Sequence, residues 1–218
     1  MDPIIESASS YAGQIDNVIL LIGFFTGAWL LLTLAVFFYF LIRYRAKPGE
    51  KALYIEGESH EEAKWVHWPH YAVIFCDVII IAVAVPAWYH VKQELPRADA
   101  TIRIIGQQWA WKFVHPGKDN ELGTKDDIET VDELHLQADM TYHFKLESDD
   151  VMHDFSVPVF RLKQDAIPGR VITGWMKPTK AGEFDIQCAE MCGIGHGVMA
   201  AKLYVEEAAE HKQWIAGF

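Results

Sequence analysis

Cysteine is scarce in this chain, 3 in 218 residues, so no disulfide framework can carry the fold. No C-x-x-C-H occurs anywhere, which excludes covalent heme c attachment. Basic residues are in deficit, 19 Lys and Arg against 30 Asp and Glu, for a net charge of −11; that balance argues against nucleic acid as a partner. Internal repeats and low-complexity tracts are absent too, and with them solenoids and tail-like segments. The start, MDPIIES, lacks the basic region of a secretory leader, and the apolar run behind it exceeds the roughly 7 to 15 residues such leaders use. The first helix is therefore expected to stay as an anchor.

Hydrophobic residues are abundant, 51% of the chain, and crowd before residue 92. From Val18 to Ile42 no residue is charged, a stretch long enough at about 1.5 Å per residue to cross a bilayer core of about 30 Å. A second apolar stretch, Trp65 to Val91, is interrupted only by Asp77 and ends in aromatics suited to a membrane interface. Together they predict a transmembrane hairpin with spans at 18–42 and 67–91, forming a membrane anchor over residues 1–91 in the lipid bilayer. Arg43, Arg45, Lys47 and Lys51 directly follow the first span. The connector is therefore expected on the cytoplasmic side and residues 92–218 on the other. Asp77 is costly enough in a membrane to imply a partner or a protonated state, and it is expected to face another subunit. His67 and His70 sit at the start of the span, where interfacial histidines need no special role, and Cys76 reads as an apolar filler.

Residues 92–218 hold 21 Asp and Glu against 14 Lys and Arg, the balance of a solvated acidic surface or of one that meets a basic partner. Apolar side chains recur there at period two: TIRII at 101–105, Trp109 with Trp111 and Phe113, YHFKL at 142–146 and EFDIQC at 183–188. GRVITGWM at 169–176 and MAAKLYV at 199–205 add two more strands, with Pro and Gly turns between. Six or more strands predict an all-β sandwich or barrel. The closing EEAAEHKQWIAGF, acids first, predicts a short terminal helix.

Two of the three cysteines fall in CAEMCGIGHGVM at 188–199. An oxidising compartment would favour a disulfide between Cys188 and Cys192. His196 and Met199 follow at once, however, and Gly193, Gly195 and Gly197 leave the backbone free to wrap these side chains round one point. Thiolate, imidazole and thioether form a soft set that suits copper, whereas the spacing is not that of a zinc knuckle, which would leave the methionine idle. Two thiolates can bridge two ions, each of which needs an imidazole. His153 is the candidate for the second one, with His115, His135, His143 and His211 as rivals.

With GQQWAWKF at 106–113, SDDVMHDFSVP at 148–158, LKQDAIPGR at 162–170 and the two-span hairpin, this motif makes the chain resemble subunit II of the cytochrome c oxidases, the heme-copper terminal oxidases. The resemblance implies a cupredoxin-like Greek-key barrel over residues 92–218 that holds CuA, a dinuclear copper centre. Cys188 and Cys192 would bridge the two coppers, His153 and His196 would give one imidazole each, Met199 a weak thioether and Glu190 its backbone carbonyl. It implies electron entry through Trp109 from cytochrome c, soluble or membrane-attached. Transfer onward would run to subunit I of a proton-pumping oxidoreductase that also includes subunit III, the chain not being catalytic alone. The setting would be the bacterial inner membrane, or the mitochondrial inner membrane, with the barrel on the periplasmic or equivalent side. The Glu190 side chain resembles the family's ligand to magnesium at the subunit I boundary, and Glu62 its acid near the mouth of the K proton channel. From the residues alone, Trp109 reads first as a core aromatic and Glu62 as part of a solvated turn, and only the motif match favours the other roles.

One stretch departs from the family pattern: PGKDNELGTKDDIETVDE at 116–133 reads as an acidic insertion. It suits a docking surface for a basic cytochrome, a calcium loop on Asp119, Glu121, Asp126 and Asp127, or a plain solvated loop. Two other functions share parts of the architecture. A quinol-oxidase-type subunit II lacks the copper ligands present here, and a membrane-anchored copper carrier or sensor would leave the tryptophan pair and DAIPGR without an evident purpose.

Overall fold

A computed structural model describes residues 6–52 and 54–218; the acidic start that argues against a cleavable leader falls largely in residues 1–5, outside the described residues. Two compact units are present, one spanning Gln14–Trp88 and the other combining Tyr89–Phe218 with the residues up to Gly13.

The first unit is helical. Helix α1 runs Ala12–Arg43 and α2 His60–Trp88, the latter passing into a π-helical turn at Tyr89–Gln93. Both begin before the predicted spans, and for α2 the reason is local. Ser59 and Glu62 form a reciprocal capping box, the Ser59 hydroxyl accepting the Glu62 N–H at 3.3 Å and the Glu62 carboxylate accepting the Ser59 N–H at 3.4 Å. Apolar side chains such as Phe24, Leu31, Val66 and Phe75 are exposed along both helices. A helix apolar on all sides and uncovered by protein is stable in lipid, so the chain is membrane-anchored.

The second unit has ten strands: β1 Ala100–Gln107, β2 Ala110–His115, β3 Ile128–Val131, β4 Glu133–Gln137, β5 Tyr142–Ser148, β6 His153–Val157, β7 Leu162–Ala166, β8 Ile172–Met176, β9 Gly182–Cys188 and β10 Ala200–Glu206. A final helix, α3, spans Ala208–Ala216, as the closing segment predicts. The strands form two five-stranded sheets, ordered β3-β2-β1-β5-β8 and β4-β10-β9-β6-β7. The chain passes repeatedly from one to the other, so β1 meets β5 and β10 meets β4 in parallel while the remaining pairs are antiparallel. This is the cupredoxin-like all-β architecture that the resemblance implies.

Alternation explains the shared core. Along β5, Tyr142, Phe144 and Leu146 point inward while Lys145 faces solvent, and Ile102, Ile104, Trp111, Phe113, Phe155 and Leu203 join them in one buried cluster. Truncating one of these aromatics costs about 3–5 kcal/mol. Residues just before α1 dock on the same unit: the Ala8 N–H donates to the Val159 carbonyl at 2.8 Å, and Tyr11 lies buried edge-on to Trp175.

The acidic 116–133 stretch is only partly a loop, since β3 pairs antiparallel with β2 along its second half. Its carboxylates are spent on the backbone: Asp126 accepts the Asp119 N–H, Asp127 the Gly123 N–H and Asp119 the Glu121 N–H. Among the described residues these acids do not converge into a metal-binding group. The calcium expectation at 119–127 is thereby unsupported.

Candidate metal centre

Strand register assembles the site. Phe155 on β6 pairs with Cys188 on β9, and the ladder continues as the Ala189 N–H donates to the Asp154 carbonyl at 3.0 Å, which sets His153 beside the cysteine. On the other edge of β9, the Cys188 N–H donates to the Met199 carbonyl at 3.1 Å, extending the pairing with β10 and fixing the thioether end of the loop. Residues 189–198 bulge outward between these anchors. Two strands and one loop thus deliver every side chain singled out in the motif.

The sulfurs of Cys188 and Cys192 lie 3.7 Å apart. A disulfide requires about 2.05 Å, so both cysteines are free thiols and the disulfide reading falls. His153 Nδ1 lies 3.9 Å from the Cys188 sulfur, and His196 Nδ1 3.7 Å from that of Cys192. Met199 Sδ is also 3.7 Å from the Cys192 sulfur, and the Cys188 thiol donates to the Glu190 carbonyl at 3.3 Å. The ligand atoms of His153, Cys188 and Cys192 all fall within 4.8 Å of one another.

All six residues of the predicted set therefore surround one point. His153, both cysteines and Met199 are buried, while His196 and Glu190 are half-buried at the rim. Burial, and the Cys188 sulfur beside it, push the Cys192 thiol up to about 11. A metal ion entering this pocket must therefore displace thiol protons. Two soft sulfurs, a thioether and two imidazoles fit copper in character, and the placement of the methionine among them is not one that a zinc site uses.

The surroundings hold the donors in place. His153 Nε2 is 2.8 Å from an Asp150 carboxylate oxygen, which turns Nδ1 toward Cys188. Asp150 in turn accepts the Val151 N–H at 2.6 Å and the Gln108 N–H at 2.7 Å, tying the β1–β2 turn to the site. Within that turn Trp109 lies at the surface, 39% exposed, and its indole N–H donates to the Cys192 carbonyl at 3.2 Å. Gln108 donates to the same carbonyl at 2.8 Å. Trp111, two residues on, is fully buried, edge-on to His153 and Phe155. The alternating pattern treats the two tryptophans alike, whereas the turn at 108–109 separates a surface ring from a core ring.

Two glycines in the loop have separate reasons, backbone conformation at Gly193 and the closeness of Trp109 at Gly195. Gly193 has φ +118, which side chains rarely adopt, and a Cβ on Gly195 would fall 2.5 Å from Trp109 Cγ.

The rival histidines are engaged elsewhere. His143 meets the Pro96 carbonyl at 2.6 Å, and His135 and His211 each place Nδ1 2.7 Å from a different carboxylate oxygen of the buried Glu206. His115 packs edge-on to Trp214, and burial, with His135 and His211 nearby, pushes it down to about 3. The Glu190 carboxylate accepts the neighbouring Met191 N–H at 3.2 Å, and no metal-binding group forms around it among the described residues, so the magnesium expectation is unsupported within this chain. Glu62 lies in the helical unit as the capping partner of Ser59. Sequence reasoning assigns no role to Asp150 or Gln108. Asp150 stands three residues before His153, and that proximity is the one signal that could have marked it.

Known proteins resemble the chain over the unit that carries these residues. The family model for cytochrome c oxidase subunit II, periplasmic domain, matches residues 100–206. The alternative cytochrome c oxidase subunit 2 of Bradyrhizobium diazoefficiens is 34% identical, over 93% of this chain and 79% of that protein. The probable cytochrome c oxidase subunit 2 of Rickettsia prowazekii is 31% identical over 64% of this chain, and the match spans 49% of its own length, about half of that relative. Among solved structures, the periplasmic domain of subunit II of cytochrome oxidase (CoxB) of Bradyrhizobium japonicum matches with a TM-score of 0.50 at 30% identity, covering 57% of this chain and 96% of that one.

Proposed function

Because the chain belongs to the cytochrome c oxidase subunit II family, we propose that its β unit takes electrons from a cytochrome c through a dinuclear copper centre and passes them to subunit I for oxygen reduction. Cys188, Cys192, His153, His196, Met199 and the Glu190 carbonyl would hold the metal. Bound there, copper supplies a one-electron carrier whose charge is spread over two soft sulfurs. The observation that carries this reading is the convergence of two unbonded thiols with two imidazoles and a thioether in a largely buried pocket.

The chain's own residues do the rest. Asp150 holds the His153 ring so that Nδ1 faces the thiols. Ordered, buried donors keep the site's geometry constant when its charge changes, which lowers the reorganisation that accompanies exchange. Trp109 supplies an exposed aromatic surface hydrogen-bonded to the backbone of a ligand residue, a short route inward for an electron. Asp149 and Asp150 are exposed beside that turn, and the net charge of −11 favours a basic donor at this face. The same reading puts the β unit on the outer side of the membrane and gives Glu62, at the start of α2, a role in proton entry.

The reading is tested by copper titration of the full chain in detergent. Uptake should saturate at two coppers per chain and fall in Cys188→Ser and Cys192→Ser. Saturation at a single copper that survives either substitution would point instead to a carrier or sensor.

A further inference from the structure

Beyond the six ligand residues, the chain places two further sulfurs beside the same centre. Of the six methionines, Met1 lies outside the described residues. Met176 is buried in the core, Met140 packs against it, and Met199 belongs to the ligand set. The other two, Met152 and Met191, are exposed, at 43% and 71%. Each stands immediately before a ligand, Met152 before His153 and Met191 before Cys192. The antiparallel register pairs Phe155 with Cys188 and carries the Ala189 N–H to the Asp154 carbonyl, which brings residues 152 and 191 to the same end of the β6–β9 ladder. Neither core packing nor the ligand set accounts for a thioether at either position.

Copper arrives held by other ligands and must exchange them stepwise. The donors inside offer no easy first step, because His153, Cys188, Cys192 and Met199 are all buried, and each thiol must release a proton before it binds. An exposed thioether has neither obstacle. It is soft, swings about three rotatable bonds and has no proton to lose, which suits Cu(I) in preference to Cu(II). We propose that Met152 and Met191 form a loading port, a surface pair of thioethers that captures Cu(I) from its carrier and passes it to the neighbouring thiols. The transfer is ligand exchange alone. Bonds from carrier to copper break as bonds from thioether to copper form, and these break in turn as the thiolates bind. The thiol protons leave to solvent, and copper stays in the +1 state throughout. The inference rests on the reading of the centre as a copper site.

The test follows loading of the full chain in detergent, without oxygen and with its thiols reduced. Cu(I) is supplied as its coloured bicinchoninate complex, and Cu(II) in a separate arm as its glycine complex. Wild type is compared with Met152→Leu, Met191→Leu and the double variant, since leucine keeps the size and apolar character and removes only the sulfur. In the Cu(I) arm the double variant should take up copper roughly tenfold more slowly than wild type, and each single variant should fall between. Final copper per chain should be equal in all four, and rates in the Cu(II) arm should not differ. Equal Cu(I) rates in wild type and double variant would overturn the port and leave the copper reading intact. Equal slowing in both arms would also overturn the port, by showing a disturbed loop instead of a lost donor. Wild-type chain that acquires copper in neither arm would overturn the copper reading, and the port with it.

Discussion

Gly195→Ala isolates the contribution of Trp109. The backbone at Gly195 is φ −89, ψ 5, which alanine adopts at little cost, so the effect is steric. The new methyl would lie 2.5 Å from Trp109 Cγ and 2.9 Å from Cε3. Ordinary contact begins near 3.4 Å, so ring or loop must yield by about 1 Å. Trp109 is the half-exposed, less constrained partner, whereas the loop is pinned by the Met199 N–H to the Gly195 carbonyl at 3.1 Å and by the ligand residues. The ring should therefore move, and its hydrogen bond to the Cys192 carbonyl, worth about 1 kcal/mol, should be lost. In the assembled oxidase, stopped-flow oxidation of reduced cytochrome c should slow between roughly tenfold and a hundredfold, as displacements of this size do when they break a positioned contact. Copper content and its spectrum should not change. Electron entry at the wild-type rate with the ring displaced would refute the role given to Trp109.

Asp150→Ala frees the outer nitrogen of His153, and copper affinity measured by chelator competition should fall by roughly 10 to 100-fold. Glu62→Gln keeps the capping box, so thermal stability should hold while turnover of the assembled oxidase drops; unchanged turnover would leave Glu62 as a helix cap alone. His115 has a folded pKa near 3, below its ordinary 6.5. The unfolded chain therefore takes up the proton first, so its contribution is complete above pH 6.5 and is lost as pH falls from there toward 3. It amounts to no more than about 5 kcal/mol. Denaturant melts across that range should be less steep in pH for His115→Leu, and equal slopes would show that carboxylates alone set the acid limit.

How legible these features were follows from where their determinants lie. Cys188, Cys192, His196 and Met199 sit on one loop, so residue spacing announces them. His153 competes with four other histidines, and only the β6–β9 register, a tertiary fact, distinguishes it without help from resemblance. The helical hairpin is plain in composition, but the start of α2 depends on the pairing of Ser59 with Glu62, which lies outside the apolar run. Strands β3, β4, β6 and β7 are four or five residues long. Too few alternations fit in that length to stand out, and polar residues in β3 and β7 blur the rest. Gln108 acts from a separate turn, where local pattern carries no signal, and Asp150 has only its place three residues before His153 to mark it.

Whether the two thiols would share a pair of metal ions is read most directly from an electron paramagnetic resonance spectrum of the oxidised, copper-loaded full chain. The prediction is hyperfine structure from one unpaired electron spread evenly over two copper nuclei, lost when Cys188 or Cys192 is replaced by serine. Hyperfine structure from a single copper nucleus in the wild-type chain would contradict it.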